Sequence, residues 1–300
     1  MIQPPALTLA PGVLVAVQLA ALALLALLYG GRAQTLARTD RAVPIGRLLC
    51  FYAGLLLIGV LVAVGQSWRQ LLLVHTLENL LLIDLAPLLL VLGLTAPLIA
   101  PAMRLDAARR ARVLVIPPVA FALWAVDIAV WYLPGPYQAA LEHPGWHLLA
   151  HVTFVLCGVL MWMCLFGPLP APAWFGNTSR FLYILAVRLA GAVLGNVLLW
   201  SGTVFYLDYM YSDAVHHISP LADQNLAGAA VLLDCTLFAI GLFWWMFRRS
   251  AREGRERQDL LDYARRHGVP LSETRAARAI AAGRGSELRS RLEQRIGTLS

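Results

Sequence analysis

Long apolar stretches alternate with short polar ones along most of this chain. Seven of the stretches are long enough to cross a bilayer, which takes about 20 consecutive apolar residues in a helix. They lie near 12–30, 46–65, 70–94, 113–133, 146–168, 181–201 and 225–247. We therefore predict an all-α, polytopic membrane protein with seven transmembrane helices over residues 1–247 and a basic tail over residues 248–300.

Two of the predicted helices contain prolines. Pro87 lies inside the third, and Pro117 and Pro118 lie near the start of the fourth. A proline removes a backbone hydrogen bond and crowds the preceding turn. Neighbouring helices can satisfy the backbone groups that are released in this way within a membrane. We therefore expect kinks rather than breaks at both places.

The basic residues mark alternate loops. The chain is 59% hydrophobic and 14% charged, and all 24 of its basic residues are arginine. Loops 31–45, 95–112 and 169–180 contain arginine, whereas the alternate loops contain a single arginine in total, Arg69. Because positively charged loops stay in the cytoplasm, we predict an N-terminus outside and a cytoplasmic tail. In a chain this apolar, the charge indicates orientation in a lipid bilayer rather than nucleic-acid binding.

The tail carries more than half of the arginines, interspersed with acidic residues. Glycine and proline at Gly268–Pro270 and around Gly283–Gly285 predict breaks between short helices. We expect a partly helical appendage on the anionic inner leaflet. The alternative is a docking segment for a partner protein.

Three histidines lie at matched depth in two of the predicted helices. His75 comes about five residues into the third helix, or roughly 7 Å below the outer surface at about 1.5 Å per residue. His147 and His151 are four residues apart on one face of the fifth helix, in the same outer third. Imidazole within a membrane is costly without a partner and suits copper, zinc or iron. The residues leave three alternatives open: a copper site, a haem site, and separately hydrogen-bonded histidines.

Other polar residues lie close to this depth. Glu78 and Asn79 share the His75 face and could orient its ring from outside a ligand shell, and Asp127 approaches the same level from the fourth helix. Deeper in the membrane, Asp84 and Arg188 both lie roughly 20 Å below the outer surface. We predict an ion pair between them, with Asp234 as a competing partner for the arginine.

Four sequence stretches resemble one known family. They are LENLLLIDLAPLLLVLGLTAPL after His75, then YLPGPYQAALEHPGWHLLAHVTF, MWMCLFGPLP and SPLADQNLAGA. The chain resembles the bacterial cytochrome c oxidase assembly factors of the CtaG type, in the seven-helix branch associated with caa-type oxidases. The resemblance implies a multi-pass protein of the bacterial plasma membrane that helps to mature a haem–copper oxidase, with copper as the metal and an oxidase subunit as the partner.

The chain departs from the family pattern at two histidine positions. The family has a second histidine four residues after the first, where this chain has Asn79. It often has a histidine before the Leu-Pro pair of the fourth helix, where this chain has Tyr132. His75, His147 and His151 match the family, so the resemblance implies either a copper site with a reduced ligand set or a scaffolding role alone.

We expect an assembly factor that delivers copper or holds a subunit during metallation. No nucleophile–base pair or phosphate loop occurs at a spacing that would indicate an enzyme. The alternatives are a copper transporter, which would use polar groups at successive depths, and a b-type haem protein with histidine axial ligands.

Overall fold

The computed structural model describes residues 11–68, 71–281 and 283–297, and these residues form helices and loops with no strand. Fourteen α-helices follow one another in the described part of the chain. Their bounds are α1 Pro11–Ala37, α2 Ile45–Trp68, α3 Leu72–Leu80, α4 Ala86–Gly93, α5 Ala96–Ile99, α6 Asp106–Arg110, α7 Pro117–Trp131, α8 Pro134–Glu142, α9 Pro144–Phe166, α10 Asn177–Trp200, α11 Met210–Val215, α12 Pro220–Arg266, α13 Glu273–Ala281 and α14 Gly285–Gly297. The all-α, membrane-spanning fold class predicted from the sequence is confirmed.

Six helices in the described residues are long and apolar enough to cross a membrane, and the fourth predicted crossing is different. Its apolar stretch is divided between Asp106–Val115 and α7, which meet at an angle of 79°. The residue before a proline avoids the helical region, and Ile116 accordingly has φ −72° and ψ 127°. The expected kink at Pro117 is therefore wrong: the helix breaks there, and α7 alone is about 22 Å long.

The prediction for Pro87 is confirmed, because the helix continues through it. A single π-helical turn, Leu81–Leu85, joins α3 to α4. Such a turn re-registers the backbone where the proline ring would crowd the carbonyl of Ile83. Gly158 of α9 packs directly on this carbonyl and on Pro87, which leaves no room for a side chain at that position. The indole Nε1 of Trp162 donates to the Asp84 carbonyl at 2.8 Å.

The chain divides into two compact units, and α10 and α12 each contribute to both. The first unit comprises Met1–Pro172 and Ala186–Thr236, and the second comprises Ala173–Leu185 and Leu237–Ser300. Helix α12 passes without interruption through residue 247, where the sequence suggested the start of the tail.

The second unit contains the three helices of the tail. Its apolar core joins the end of α12 to α13 and α14, and consists of Leu260, Ala264, Val269, Ile280, Leu288 and Leu292. The two predicted breaks are confirmed. At each, a glycine with positive φ follows the helix end, Gly268 at 67° and Gly283 at 69°. The amides of Val269 and Arg284 bond back five residues, to Ala264 and Ala279, which is the Schellman ending that favours glycine.

Candidate functional site

The helix that carries His75 is anchored at its first turn by a distant carboxylate. The side chain of Asp223, at the start of α12, accepts hydrogen bonds from the backbone amides of Leu72 at 2.6 Å and Leu73 at 3.0 Å. The first amides of a helix have no partner within the helix, and a carboxylate also suits the positive end of the helix dipole. Asp223 therefore fixes the position at which α3 begins and, with it, the position of His75.

Two tyrosine hydroxyls hold the His75 ring. Its Nδ1 lies 2.7 Å from the hydroxyl of Tyr209 and 2.9 Å from that of Tyr137, and the two hydroxyls are 3.0 Å apart. Burial, followed by the nearby Tyr209, raises the pKa of Tyr137 well above its ordinary value. The Tyr137 hydroxyl is thus neutral at physiological pH and available as a hydrogen-bonding group. Both tyrosine hydroxyls therefore contact the same ring nitrogen of His75, Nδ1, rather than Nε2.

The loop that carries Tyr209 is fixed by its own hydrogen bonds, which are partly buried. Gln224 of α12 accepts from the amide of Phe205 at 2.8 Å and donates to the carbonyl of Thr203 at 3.0 Å. The hydroxyl of Tyr206 donates to the carbonyl of Tyr132 at 2.6 Å. These bonds join the loop to α12 and to the end of α7, so Tyr209 reaches His75 from a positioned backbone.

The three predicted histidines lie side by side and are buried. We call His75, His147 and His151 the imidazole cluster; their exposed fractions are 4%, 8% and 5%. The ring centroids of His75 and His147 are 5.9 Å apart, and those of His147 and His151 are 4.0 Å apart. The Nε2 atom of His151 lies 3.6 Å from the Oε1 atom of Glu78, which is buried as well. The sequence placed Glu78 behind His75, but the structure brings it to His151.

The rings do not already form a complete metal site. Among the described residues, no group of three or more His, Cys, Asp or Glu side chains could hold a metal ion as positioned. The space between the rings is about 10 Å³, roughly what one water molecule needs. An ion bound by all three imidazoles would therefore require the rings to rotate. The nitrogen donors themselves suit copper.

A much larger cleft opens on the other side of His147 and His151. It has a volume of about 420 Å³ and lies between α1, α2 and the α8–α9 turn. Gln18 and Glu142 supply polar groups to its wall. Both histidines line the cleft and the small space beside His75, so they form the wall between the two.

The two positions at which this chain departs from the family histidines are neighbours. The side chain of Tyr132 interacts with Asn79, which lies one helical turn beyond His75, and with Thr76, which directly follows His75. An amide and a phenol at these positions supply oxygen donors where imidazoles would supply nitrogen. Asp127 has a different setting, since its carboxylate interacts with Trp131, Thr153 and Cys157.

The deeper charged residues form a second buried group, which we call the ionic cluster: Asp84, Arg188 and Asp234. The guanidinium of Arg188 bonds both carboxylate oxygens of Asp84, at 2.8 and 3.2 Å. Asp234 is a second partner at 3.6 Å rather than a replacement for Asp84. The indole of Trp162 also lies under the guanidinium, 5.7 Å from ring centroid to Cζ.

Three contributors to the site had no clear signal in the sequence. Tyr137, Tyr209 and Asp223 lie in or beside short segments between the long helices, and the sequence separations from their partners exceed sixty residues. The one available signal for Asp223 is a carboxylate in the first turn of a predicted helix. That signal indicates a cap for its own helix and not for α3.

Comparison with known proteins identifies the family to which the chain is similar. Residues 27–253 match the family described as cytochrome c oxidase caa3 assembly factor. The match covers well over half of the 300-residue chain and confirms the family resemblance seen in the sequence motifs. No curated protein and no solved structure matches the chain.

Proposed function

The chain belongs to the cytochrome c oxidase caa3 assembly factor family, and we propose that it serves oxidase assembly by handling copper at the imidazole cluster. The observation that carries this proposal is the meeting of three buried imidazoles from two helices, next to an open cleft. Copper is here the cargo, received from one protein and passed to another, rather than a permanent cofactor.

Each histidine has a distinct part in the proposal. His147 and His151 contact the cleft and are the first nitrogen donors that an arriving ion meets. His75 lies behind them, oriented by the hydroxyls of Tyr137 and Tyr209. Such hydrogen bonds to the second ring nitrogen commonly set the orientation and basicity of a ligating histidine. Glu78 beside His151 would stabilise positive charge in the cluster.

A reduced ligand set suits a transfer protein. Asn79 and Tyr132 stand where the family has histidines, and their oxygen donors are poor ligands for Cu(I), which prefers nitrogen and sulfur. With fewer strong ligands, the ion is released more readily to an acceptor. The acceptor that fits the family is a copper-carrying oxidase subunit in the bacterial plasma membrane, and the role is that of a chaperone rather than a catalyst.

The ionic cluster argues against the transporter alternative. A cation that moved inward from the histidines would next enter the small cavity lined by Asn79, Asp84 and Asp234. The guanidinium of Arg188 is bonded to Asp84 at that level. An incoming cation would have to break this buried pair to gain Asp84 as a ligand, which is costly, so we place the exchange of copper on the cleft side.

The volume between the rings argues against the haem alternative. A porphyrin between two axial histidines needs far more than about 10 Å³. His147 and His151 are one turn apart on the same helix and cannot approach a haem from opposite faces. His75 with either of them would have to separate widely from its present position.

The test compares His147→Ala and His151→Ala with His143→Ala, which removes an exposed imidazole just before α9. Each variant replaces the chromosomal copy in cells that make the caa3 oxidase. We expect the two cluster variants to insert normally but to yield an oxidase with depleted copper, measured by metal analysis and by the absorbance of its copper centre. His143→Ala should behave as wild type. A fully metallated oxidase in a variant that carries both His147→Ala and His151→Ala would overturn the proposal.

A further inference from the structure

Three of the seven acidic residues of the tail are already paired with particular arginines. Arg249 bonds Glu253 at 2.8 Å, and Arg289 bonds Glu293 at 3.2 Å. Arg265 lies 3.9 Å from Asp262. These are contacts three or four residues apart along one helix, which is the usual way in which charge is balanced on an exposed helix surface. Some other arginines of the tail show no ion pair of this kind within the described residues.

Four such arginines converge on one cavity of about 480 Å³ in the second unit. Arg275 and Arg278 are three residues apart on α13 and share a face. Arg284 follows the positive-φ glycine that ends α13, and Arg291 lies on α14. The packing of Ile280 against Leu288 and Leu292 holds these two helices together, so the convergence is built into the fold of the tail.

The cavity has a strong excess of positive charge. Glu287 is the acidic residue in its lining, against four arginines. Within the described residues, no ion pair joins any of the four arginines to a carboxylate. Guanidinium groups that face a common space repel one another unless an anion lies between them. A concave site lined in this way favours a ligand with more than one negative charge.

We propose that this cavity is a binding site for phosphate groups. The planar guanidinium donates two parallel hydrogen bonds that match the spacing of phosphate oxygens. The volume lies within the range of small-molecule sites and exceeds what a single phosphate fills. The ligand is therefore a phosphate ester with two anionic groups or a neighbouring pair of phospholipid headgroups. This site is separate from the imidazole cluster and does not depend on the copper proposal.

The experiment uses the full chain in nanodiscs and two variants with equal loss of charge. The cavity variant carries R275A, R278A, R284A and R291A. The control variant carries R252A, R255A, R257A and R266A, four exposed arginines of α12 outside the cavity lining. Hydrogen exchange at Leu288 and Leu292 shows whether the tail core is intact in each.

Two probes distinguish the sources of phosphate. Inorganic pyrophosphate is titrated calorimetrically into protein in phosphatidylcholine nanodiscs. Separately, nanodiscs with and without phosphatidylglycerol are compared by the hydrogen-exchange protection of residues 273–297. If the ligand is a soluble phosphate, we expect the cavity variant to bind pyrophosphate more weakly by a factor on the order of a hundred. If the ligand is a phospholipid, we expect the hydrogen-exchange protection that depends on phosphatidylglycerol to fall by a factor of the same order in that variant. The control variant should change either result by less than about threefold in 0.15 M salt, where exposed charges are screened.

The outcomes separate clearly. Pyrophosphate binding that is lost only in the cavity variant supports a soluble phosphate ligand, and lipid-dependent protection lost only there supports a phospholipid. An equal effect of the two variants would reduce the cavity to general basic charge and overturn the proposal. Binding of neither probe by the wild-type chain, or binding of an acidic peptide alone, would overturn it as well.

Discussion

The first unit holds two buried groups of polar side chains that differ in the kind of contact that joins their members. In the ionic cluster, the Arg188 guanidinium bonds both oxygens of Asp84 and has Asp234 at 3.6 Å. In the imidazole cluster, His75 is bonded to tyrosine hydroxyls, and the rings of His147 and His151 border an open cleft.

The difference teaches how each group can serve the protein. A buried charge pair with good geometry is hard to open, because each ion would be left without water or a partner. It therefore suits a fixed junction between helices, here between the π-helical turn after α3 and the middle of α10. Neutral nitrogen donors can gain and lose a cation at lower cost, which suits a site that loads and unloads.

The largest effect is expected from breaking the ionic cluster. Asp84→Ala removes the carboxylate that bonds Arg188 through both oxygens and should lower the free energy of unfolding by about 3–5 kcal/mol. Adding Arg188→Leu should restore much of that loss, because no buried charge then remains unpaired. Asp234→Asn, the matched control at 3.6 Å, should cost less. Thermal unfolding of the detergent-purified wild-type protein and of the three variants provides the measurement. A double variant as unstable as Asp84→Ala would show that the pair does not carry the junction.

A smaller and more specific effect is expected from the tyrosines of the imidazole cluster. Tyr137→Phe with Tyr209→Phe removes both hydroxyls from His75. Loss of such orienting partners typically costs 10- to 100-fold in metal affinity, as an order of magnitude. Stability should change by only about 1 kcal/mol per hydrogen bond. Tyr211→Phe is the control, since that side chain is 83% exposed.

Copper affinity of these variants is measured by competition with a chromophoric Cu(I) chelator. If the double variant keeps wild-type affinity, the tyrosines are structural, and His75 need not be oriented for ligation.

The smallest effect is expected on the pH dependence of stability and comes from two neighbouring carboxylates, Asp213 and Asp223. Burial, followed by the charge of Asp223, raises the pKa of Asp213 from 3.8 to about 6, although His216 acts in the opposite direction. A raised pKa means that the folded chain binds this proton more tightly than the unfolded chain does. Stability should therefore fall as pH rises from about 4 to about 6 and stay lower above that range.

Asp213→Asn should remove this part of the pH dependence and should stabilise the protein above pH 6 but not below pH 4. Asp208→Asn, at an exposed position of the same loop, should leave the profile unchanged. Unfolding midpoints between pH 3.5 and 7.5 provide the measurement. An Asp213→Asn profile parallel to that of wild type would contradict the coupling of the two carboxylates.

Hydrophobic length was enough to predict most of the fold. Apart from the C-terminal end of the seventh, which α12 extends to Arg266, the six long helices begin and end within several residues of the predicted segments, because a membrane span leaves few alternatives to a helix. The break in the fourth was not predicted because the apolar run 113–133 gives no polar signal at Ile116. There the conformational preference before proline prevailed over hydrophobicity. The helix continues through Pro87 because the π-helical turn before it shifts the backbone and relieves the clash between the proline ring and the carbonyl of Ile83.

The candidate site was only partly predictable, for a physical reason. Depth along a helix follows from residue count and rise, so His75, His147 and His151 could be matched in height. The direction in which each ring faces depends on the rotation of its helix about its axis and on the conformation of the loops. The pattern of apolar residues along the sequence predicts neither. The partners Tyr137, Tyr209 and Asp223 consequently emerged only in the folded chain, and Glu78 proved to face His151.

The most direct test of the copper proposal is the X-ray absorption spectrum of the detergent-purified protein loaded with one equivalent of Cu(I). The account predicts retained copper with imidazole scattering and nitrogen ligands at roughly 2 Å, a typical metal–imidazole distance. Both features should disappear in the variant carrying His75→Ala, His147→Ala and His151→Ala. Wild-type protein that loses its copper on desalting, or a triple variant with an unchanged spectrum, would contradict the account.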